Sequence, residues 1–463
     1  MSTKTKRIIV VVVIVQLILA VAFFALPRAV QALPGRYLVR LQNHPLTSGV
    51  IERVTTPYPE ALPVAQSSGT RAVVAADQIP DIPGLEDVSQ EQPSPTPTPL
   101  PTETTIAEST PTPEATAEPP TPTPTMTPSP TPTPLPERVM LEDLIVVRQG
   151  FNNCGPANMT IALNYFGDNT TQEAAASYLK PNEEDRNVSP WQISDYVNEF
   201  TNLRSTVHSG GDMEMVKEFI AAGFPVVIEK GYEPSNGAGW YGHYLTVYGY
   251  DEAAGEFYSR DTNLGPFDGS PRADSYEEFN RWWQQFNYTF YVIFPPDDEQ
   301  LVMSIIPDQL EDPADMWQFT AERAREEIAE NPEDVFTHFN LGVSLTRLGE
   351  LTGQGDYYDE ASDVFDNARE IGLPPRTLFY EHRPLMAYWK AGRLEDVFDL
   401  TDAVLATTGG RWVEEIFWYR GNALATQGDL SAAREAYAEA LEVNSNFWPA
   451  QQSIDWVDSV TSG

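Results

Sequence analysis

One cysteine and five histidines are all the thiols and imidazoles that 463 residues offer. A single thiol closes no internal disulfide, and structural zinc is excluded for want of ligands. No metal or cofactor is expected. Basic residues are scarce as well: 29 Lys and Arg stand against 67 Asp and Glu, a formal net charge of -38. Nucleic-acid phosphates would be repelled by such a chain, so nucleic acid is not an expected partner. Proline, in contrast, is abundant at 40 residues and unevenly spread, which points to a linker.

Long apolar runs are confined to the N-terminus. Residues 1–7, "MSTKTKR", make a basic head, and Ile8 to Leu26 is an uncharged run of 19 residues. As helix that run is about 28 Å long, close to one hydrocarbon thickness. Lys4, Lys6 and Arg7 are expected to stay in the cytoplasm, so 8–26 reads as a single-pass signal anchor in the cell membrane, with the bulk of the chain outside. A cleavable signal peptide is the alternative, with small residues from Val30 to Ala32, and would leave the chain secreted. Residues 27–92 carry few periodic signals and are left unassigned, mostly disordered. From Pro93 to Pro136, 30 of 44 residues are Pro or Thr and none is aromatic. That stretch, 93–136, is expected to be a disordered stalk of polyproline II bias, reaching at most roughly 130 Å.

Composition turns globular at Glu137. Between 137 and 297 helices and strands mix: "NCGPANMTIALNYFG" and "DMEMVKEFIAAG" read as helices ending at Gly167 and Gly223. "FPVVIEKG" is a short buried strand, "HYLTVYGYDEAAGEFYSRD" a hairpin, and "NYTFYVIFP" a closing strand. From 313 to 460 the chain is helical and repeats itself. Gly421, Leu424, Ala433, Tyr437 and Ala440 occupy the small and aromatic positions of a tetratricopeptide repeat, and Leu341, Gly342, Leu345, Ala361, Phe365 and Ala368 repeat the scheme. The second set carries seven extra residues near its internal turn. A degenerate middle unit fits around "LMAYWKAGRLEDVFDLTDAVLAT". An ordinary helical bundle is the plainer reading of the same residues.

The lone cysteine sits in "RQGFNNCGPANMTIALNYFG". Asn152 or Asn153 suits an N-cap, which sets Cys154 in the first helical turn, where free N–H groups and the helix dipole stabilise a thiolate. Gly155 would admit a substrate backbone, and Pro156 suits a first turn. Two histidines, His208 and His243, share the domain with Cys154. A hairpin turning near Glu252 to Gly255 sets His243 and Asp261 opposite one another or one diagonal step apart, on the same face. Asp261 could then orient the imidazole; as a turn former in "DTNLGPFDG" it could equally cap a loop. Nothing near His208 offers a comparable arrangement. Gln149 could aim its amide at a developing oxyanion beside the Cys154 N–H.

These residues resemble a known family. "Q-x-x-x-N-C-G-P-A", "G-H-Y-L-T-V-Y-G-Y-D" and a downstream Asp are similar to the papain-like cysteine peptidases of the bacteriocin-processing, double-glycine-leader group, and more narrowly to its stand-alone bacterial members. The resemblance covers Arg148 to Pro295. It implies an α+β papain-like domain, with the cysteine helix packed on an antiparallel sheet, ahead of the all-α repeat domain. It also implies Cys154 as nucleophile, His243 as general base and acid, Asp261 as orienter and Gln149 as oxyanion donor. The function expected is a membrane-tethered extracytoplasmic cysteine peptidase acting on a peptide or protein, with repeats that recruit substrate or partner proteins. The alternatives are an inactive peptide-binding scaffold at the cell envelope, and acyl transfer by the same triad.

Overall fold

The computed structural model describes residues 37, 41, 61–65, 79, 134–234, 239–407 and 409–462. The basic head, the apolar run at 8–26 and the stalk up to residue 133 lie outside the described residues. Among those described, no helix is long and apolar enough to cross a membrane.

Seven strands form one antiparallel sheet: β1 Arg138–Met140, β2 Arg204–His208, β3 Val226–Tyr232, β4 Tyr241–Asp251, β5 Glu256–Arg260, β6 Arg272–Ser275 and β7 Phe290–Phe294. Their order is β2-β7-β3-β4-β5-β6, and β1 pairs with β4. The long β4 is bonded along one side to β5. On the other side β3 covers Tyr241 to Val247 and β1 takes over at Gly249 to Asp251. The strand that closes the domain in sequence, β7, lies between β2 and β3 and so sits inside the sheet.

Both faces of the sheet are covered, which is why "FPVVI" reads as a continuous apolar run and not an alternating one. Val227 packs with Met159 and Leu163 of α1 (Cys154–Tyr165), Leu179 of α2 (Gln172–Leu179) and Ile193 of α3 (Pro190–Phe200). Its neighbours Val226 and Ile228 pack with Phe219 and Ile220 of α4 (Met213–Ala222) and Trp283 of α5 (Tyr276–Trp283). Each such side chain, fully buried, contributes about 1.5–3 kcal/mol. The α4 helix starts on Asp212, whose carboxylate accepts from Met215 N–H, and ends on Gly223 at φ 99°.

The connector after β7 is itself partly helical, holding α6 (Glu299–Ile305). Eight helices follow: α7 Pro313–Glu330, α8 Val335–Thr352, α9 Asp356–Ile371, α10 Arg383–Lys390, α11 Leu394–Leu405, α12 Glu414–Thr426, α13 Leu430–Val443 and α14 Trp448–Thr461. Gly342 on α8 lies directly under the ring of Phe365 on α9, and Gly421 on α12 under Tyr437 on α13. A Cβ at either glycine would overlap its ring, so the small residue is what lets each helix pair close. The seven extra residues of the α8–α9 pair do not enlarge its turn. They lengthen the helices: α8 has 18 residues against 13 in α12, and α9 has 16 against 14 in α13.

The two regions share one apolar core. Polar contacts reinforce it: Asn340 donates to Gln284 O at 2.6 Å, Asn287 to Ser344 Oγ at 3.0 Å, and Arg323 to Gly211 O at 2.9 Å. Within the stretch expected to be disordered, residues 61–65 and 79 depart from that expectation. Leu62 N donates to Leu373 O at 2.9 Å, Arg369 Nε to Pro63 O at 2.6 Å, and Leu62 and Ile79 are buried in the core.

Gly342→Ala and Gly421→Ala should each lower the unfolding free energy by about 1–3 kcal/mol through overpacking. Urea denaturation monitored by circular dichroism measures this, and an unchanged midpoint in both variants would contradict the close helix approach.

Candidate active site

The loop before α1 is pinned at every step. Gln149 N donates to Thr262 O at 2.9 Å, Gly150 N to Gln172 Oε1 at 2.8 Å, and Gln172 Nε2 back to Arg148 O at 2.9 Å. Asn152 takes a left-handed conformation, φ 53°, and its amide donates to Asp185 O at 3.0 Å. Asn153 is the N-cap, but its side chain makes no capping hydrogen bond. The side-chain cap expected from the sequence is therefore not made. The asparagines shape the loop instead, and Cys154 opens the helix with its dipole behind it. Gly155 also departs from expectation. A Cβ there would stand 3.0 Å from Ile193 and 3.5 Å from Tyr244, so its smallness serves core packing, not substrate approach.

Asn158, one turn into α1 and wholly buried, ties the helix to the sheet. Its amide nitrogen donates to Cys154 O at 2.9 Å, Tyr244 O at 3.0 Å and Thr262 Oγ1 at 3.2 Å, and its oxygen accepts from Thr246 Oγ1 at 2.8 Å. Thr262 Oγ1 in turn donates to Gln149 Oε1 at 2.9 Å. That bond engages the oxygen of Gln149.

His243, the third residue of β4, presents Nε2 to Asp261 Oδ1 at 3.0 Å. Cys154 lies close enough to the same ring to act on its pKa. Cys154, His243 and Asp261 are thus brought together, exposed by 8%, 4% and 5% respectively. Asp261 follows β5 directly and does two things at once. It accepts from the turn N–H groups of Asn263 and Leu264 at 2.9 and 2.8 Å, and the same oxygen meets the imidazole. Arg272 Nη1 reaches its second oxygen at 3.3 Å, and Arg272 Nη2 binds Asp274 at 2.9 Å. Tyr232 stands against the imidazole, ring centroids 5.5 Å apart.

Burial acts against the charged imidazolium, but attraction to Asp261 and hydrogen bonds to Asp261 and Cys154 outweigh it and raise the His243 pKa to about 9. For Asp261, burial would push the pKa up, and the His243 charge with its hydrogen bonds brings it down to about 2. At neutral pH the pair is an imidazolium and a carboxylate, the state a thiolate nucleophile requires beside it.

His208 is elsewhere and engaged: Nε2 with Thr206 Oγ1 and Nδ1 with Leu310 O, both at 2.8 Å, and its ring stacks on Phe290. Burial lowers its pKa, as expected of a structural histidine. Among the described residues no group of three or more His, Cys, Asp or Glu is arranged to hold a metal ion.

Residues 141–291 match the Peptidase_C39 like family. No curated protein matches the chain. Two solved structures are similar. One is a Bacillus anthracis protein assigned as a C39-like peptidase, at 18% identity, covering 34% of this chain and 96% of that one with a TM-score of 0.27. The other is the peptidase domain of Streptococcus ComA, a bi-functional ABC transporter involved in quorum sensing, at 17% identity, covering 33% and 99%, with a TM-score of 0.26. The family match supports a C39-like peptidase domain over this third of the chain.

The sequence reading missed Asn158, Thr262 and Arg272. Asn158 had a signal, a polar residue one turn after the cysteine in a largely apolar helix. Arg272 had none, because it reaches Asp261 only through β6.

The raised His243 pKa fixes a pH dependence. The ion pair's stabilisation is complete below about pH 6.5 and is lost as pH rises through about 9; Asp261 sets the acid limit, its share being present above 3.8 and lost as pH falls through about 2. Asp261→Asn should lower the His243 pKa, read by NMR titration of the imidazole. It should also cost stability at pH 6 and much less at pH 10.

Proposed function

We propose that the chain is a cysteine peptidase working through Cys154, His243 and Asp261. One observation carries the reading: the imidazole that bonds a buried carboxylate has the lone thiol among the groups that raise its pKa. The thiolate of Cys154 attacks the carbonyl carbon of a peptide bond and forms the S–C bond. The oxyanion is received by the Cys154 N–H and the Nε2 of Gln149. His243 gives its proton to the departing amine as the C–N bond breaks, leaving a thioester. The neutral imidazole then takes a proton from water, which attacks the thioester and returns the thiolate and the imidazolium. Asp261 stays ionised throughout.

The finer features belong to the same proposal. The unit is a stand-alone peptidase held outside the cytoplasm by the 8–26 anchor on a Pro/Thr stalk. The Gly342–Phe365 and Gly421–Tyr437 contacts favour tetratricopeptide-like repeats over a plain bundle, and these repeats recruit a protein substrate or partner.

A peptide-library digest read by mass spectrometry tests the activity. Cys154→Ala and His243→Ala should each lower kcat/KM by at least about 10³-fold, and Gln149→Ala by about 10²-fold. Slow labelling of Cys154 by an electrophilic probe, unaffected by His243→Ala, with no product from any peptide, would leave the peptide-binding scaffold instead.

A further inference from the structure

Residues of the helical region cover the start of the strand that carries His243. Three consecutive positions before His243 are each covered from that side. Trp240 stacks on Phe336, ring centroids 5.4 Å apart, and meets Tyr380 edge-on at 5.8 Å. The Arg376 guanidinium lies 4.0 Å over the ring of Tyr241 and donates to Trp240 O at 3.3 Å. Gly242 lies against the Tyr380 ring so closely that a Cβ there would stand 3.0 Å from it, and 2.7 Å from Phe286. Tyr380 follows the short 3-10 turn Pro375–Phe379 between α9 and α10. Its place is held by Phe286 as well as Trp240, ring centroids 5.9 and 5.8 Å away. On the sheet side the enclosure continues with Tyr232, which stacks on Tyr241 at 5.6 Å and stands against His243.

We propose that the helical region is the outer wall of the Cys154 cleft, and that the Tyr380 ring limits the size of the group that reaches the sulfur. Tyr380 is half-buried, and burial raises its pKa well above the ordinary value, with Cys154 the largest of the charges acting on it. Tyr380 is then a specificity-determining residue contributed from outside residues 141–291, the span of the family match. The consequence for hydrolysis rests on the reading under Proposed function; the steric consequence for the thiol does not.

Cys154 is the chain's one thiol, so labelling of the intact protein reports this site alone. Rates of modification by a small reagent, iodoacetamide, and a bulky one, N-(1-pyrenyl)maleimide, are compared by intact mass. Tyr380→Ala should speed the bulky reagent about tenfold while changing iodoacetamide by less than about twofold, and Tyr380→Phe, which keeps the ring, should restore the wild-type ratio. In peptide digests Tyr380→Ala should add cleavage beside larger side chains than the wild type accepts. An unchanged ratio of the two rates in Tyr380→Ala, or an equal rise in both, overturns the proposal. If the alanine variant lacks a cooperative unfolding transition, Tyr380→Leu takes its place under the same criteria. A shifted ratio in a protein that cleaves nothing would sink the peptidase reading and leave the wall standing.

Discussion

The site depends on a one-residue irregularity in the ladder between β4 and β5. Near the hairpin Asp251 faces Glu256 and Gly249 faces Tyr258; past Tyr248 the pairing shifts, so that Val247 faces Ser259 and Thr246 faces Arg260. One further step sets Asp261 opposite Leu245, on the face of the sheet that His243 shares. Had the first register continued, Asp261 would fall opposite Thr246, whose hydroxyl points to Asn158 under α1. A slip of one residue exchanges faces in any strand. A bulge here is therefore a device for aiming a carboxylate at an imidazole, and Asp261 and His243 could not meet without it.

The charges gathered by that register are expensive to bury and are stabilised because both carboxylate oxygens find donors. One Asp261 oxygen takes the His243 ring and two backbone N–H groups; the other takes Arg272, itself held by Asp274. A buried ion pair left half satisfied would cost several kcal/mol. The Asn158–Thr262–Gln149 chain extends the same economy toward the cysteine loop. It joins α1, β4 and the turn after β5 in one hydrogen-bonded path, so the sulfur, the imidazole and the carboxylate are positioned by a shared scaffold. The arrangement of these three side chains depends on at least four more.

Local motifs made part of this legible. "NNCGPA" announced a helix start with a thiol, and "GHYLTVYGYD" with the turn at Glu252 to Gly255 brought Asp261 opposite His243 or one diagonal step away. The register shift was not legible, since "TVYGYD" alternates the same way with or without it, and the hairpin estimate tolerated either parity. Gly155 and Asn153 were assigned to substrate approach and capping on local grounds. Tertiary packing of Ile193 and Tyr244 gave the glycine another use, and Asn152, held by Asp185 O, fixed the loop without a side-chain cap. In the helical region the small–aromatic spacing of Gly342 with Phe365 and Gly421 with Tyr437 was readable because it is local. The seven extra residues looked like loop and are helix, because a turn of fixed length costs nothing when both flanking helices can grow.

The seam between the two regions was invisible for a different reason: no sequence rule pairs Tyr380 with Gly242, 138 positions apart. Its physical logic is clear once seen. The N-terminal end of β4 keeps the His243 ring away from bulk water, yet Gly242 beside it is bare of side chain. Rings from the helical region fill the space that glycine leaves, and Arg376 and Arg323 lock the two regions by bonding to backbone carbonyls of Trp240 and Gly211. Separating them would expose Trp240, Phe336 and Phe339 and would strip the imidazole–carboxylate pair of part of its low-dielectric cover. The helical region is therefore not an appendage joined by a tether. It shares the core that supports the strand carrying His243, and any partner that shifts those helices acts directly on the walls around the thiol.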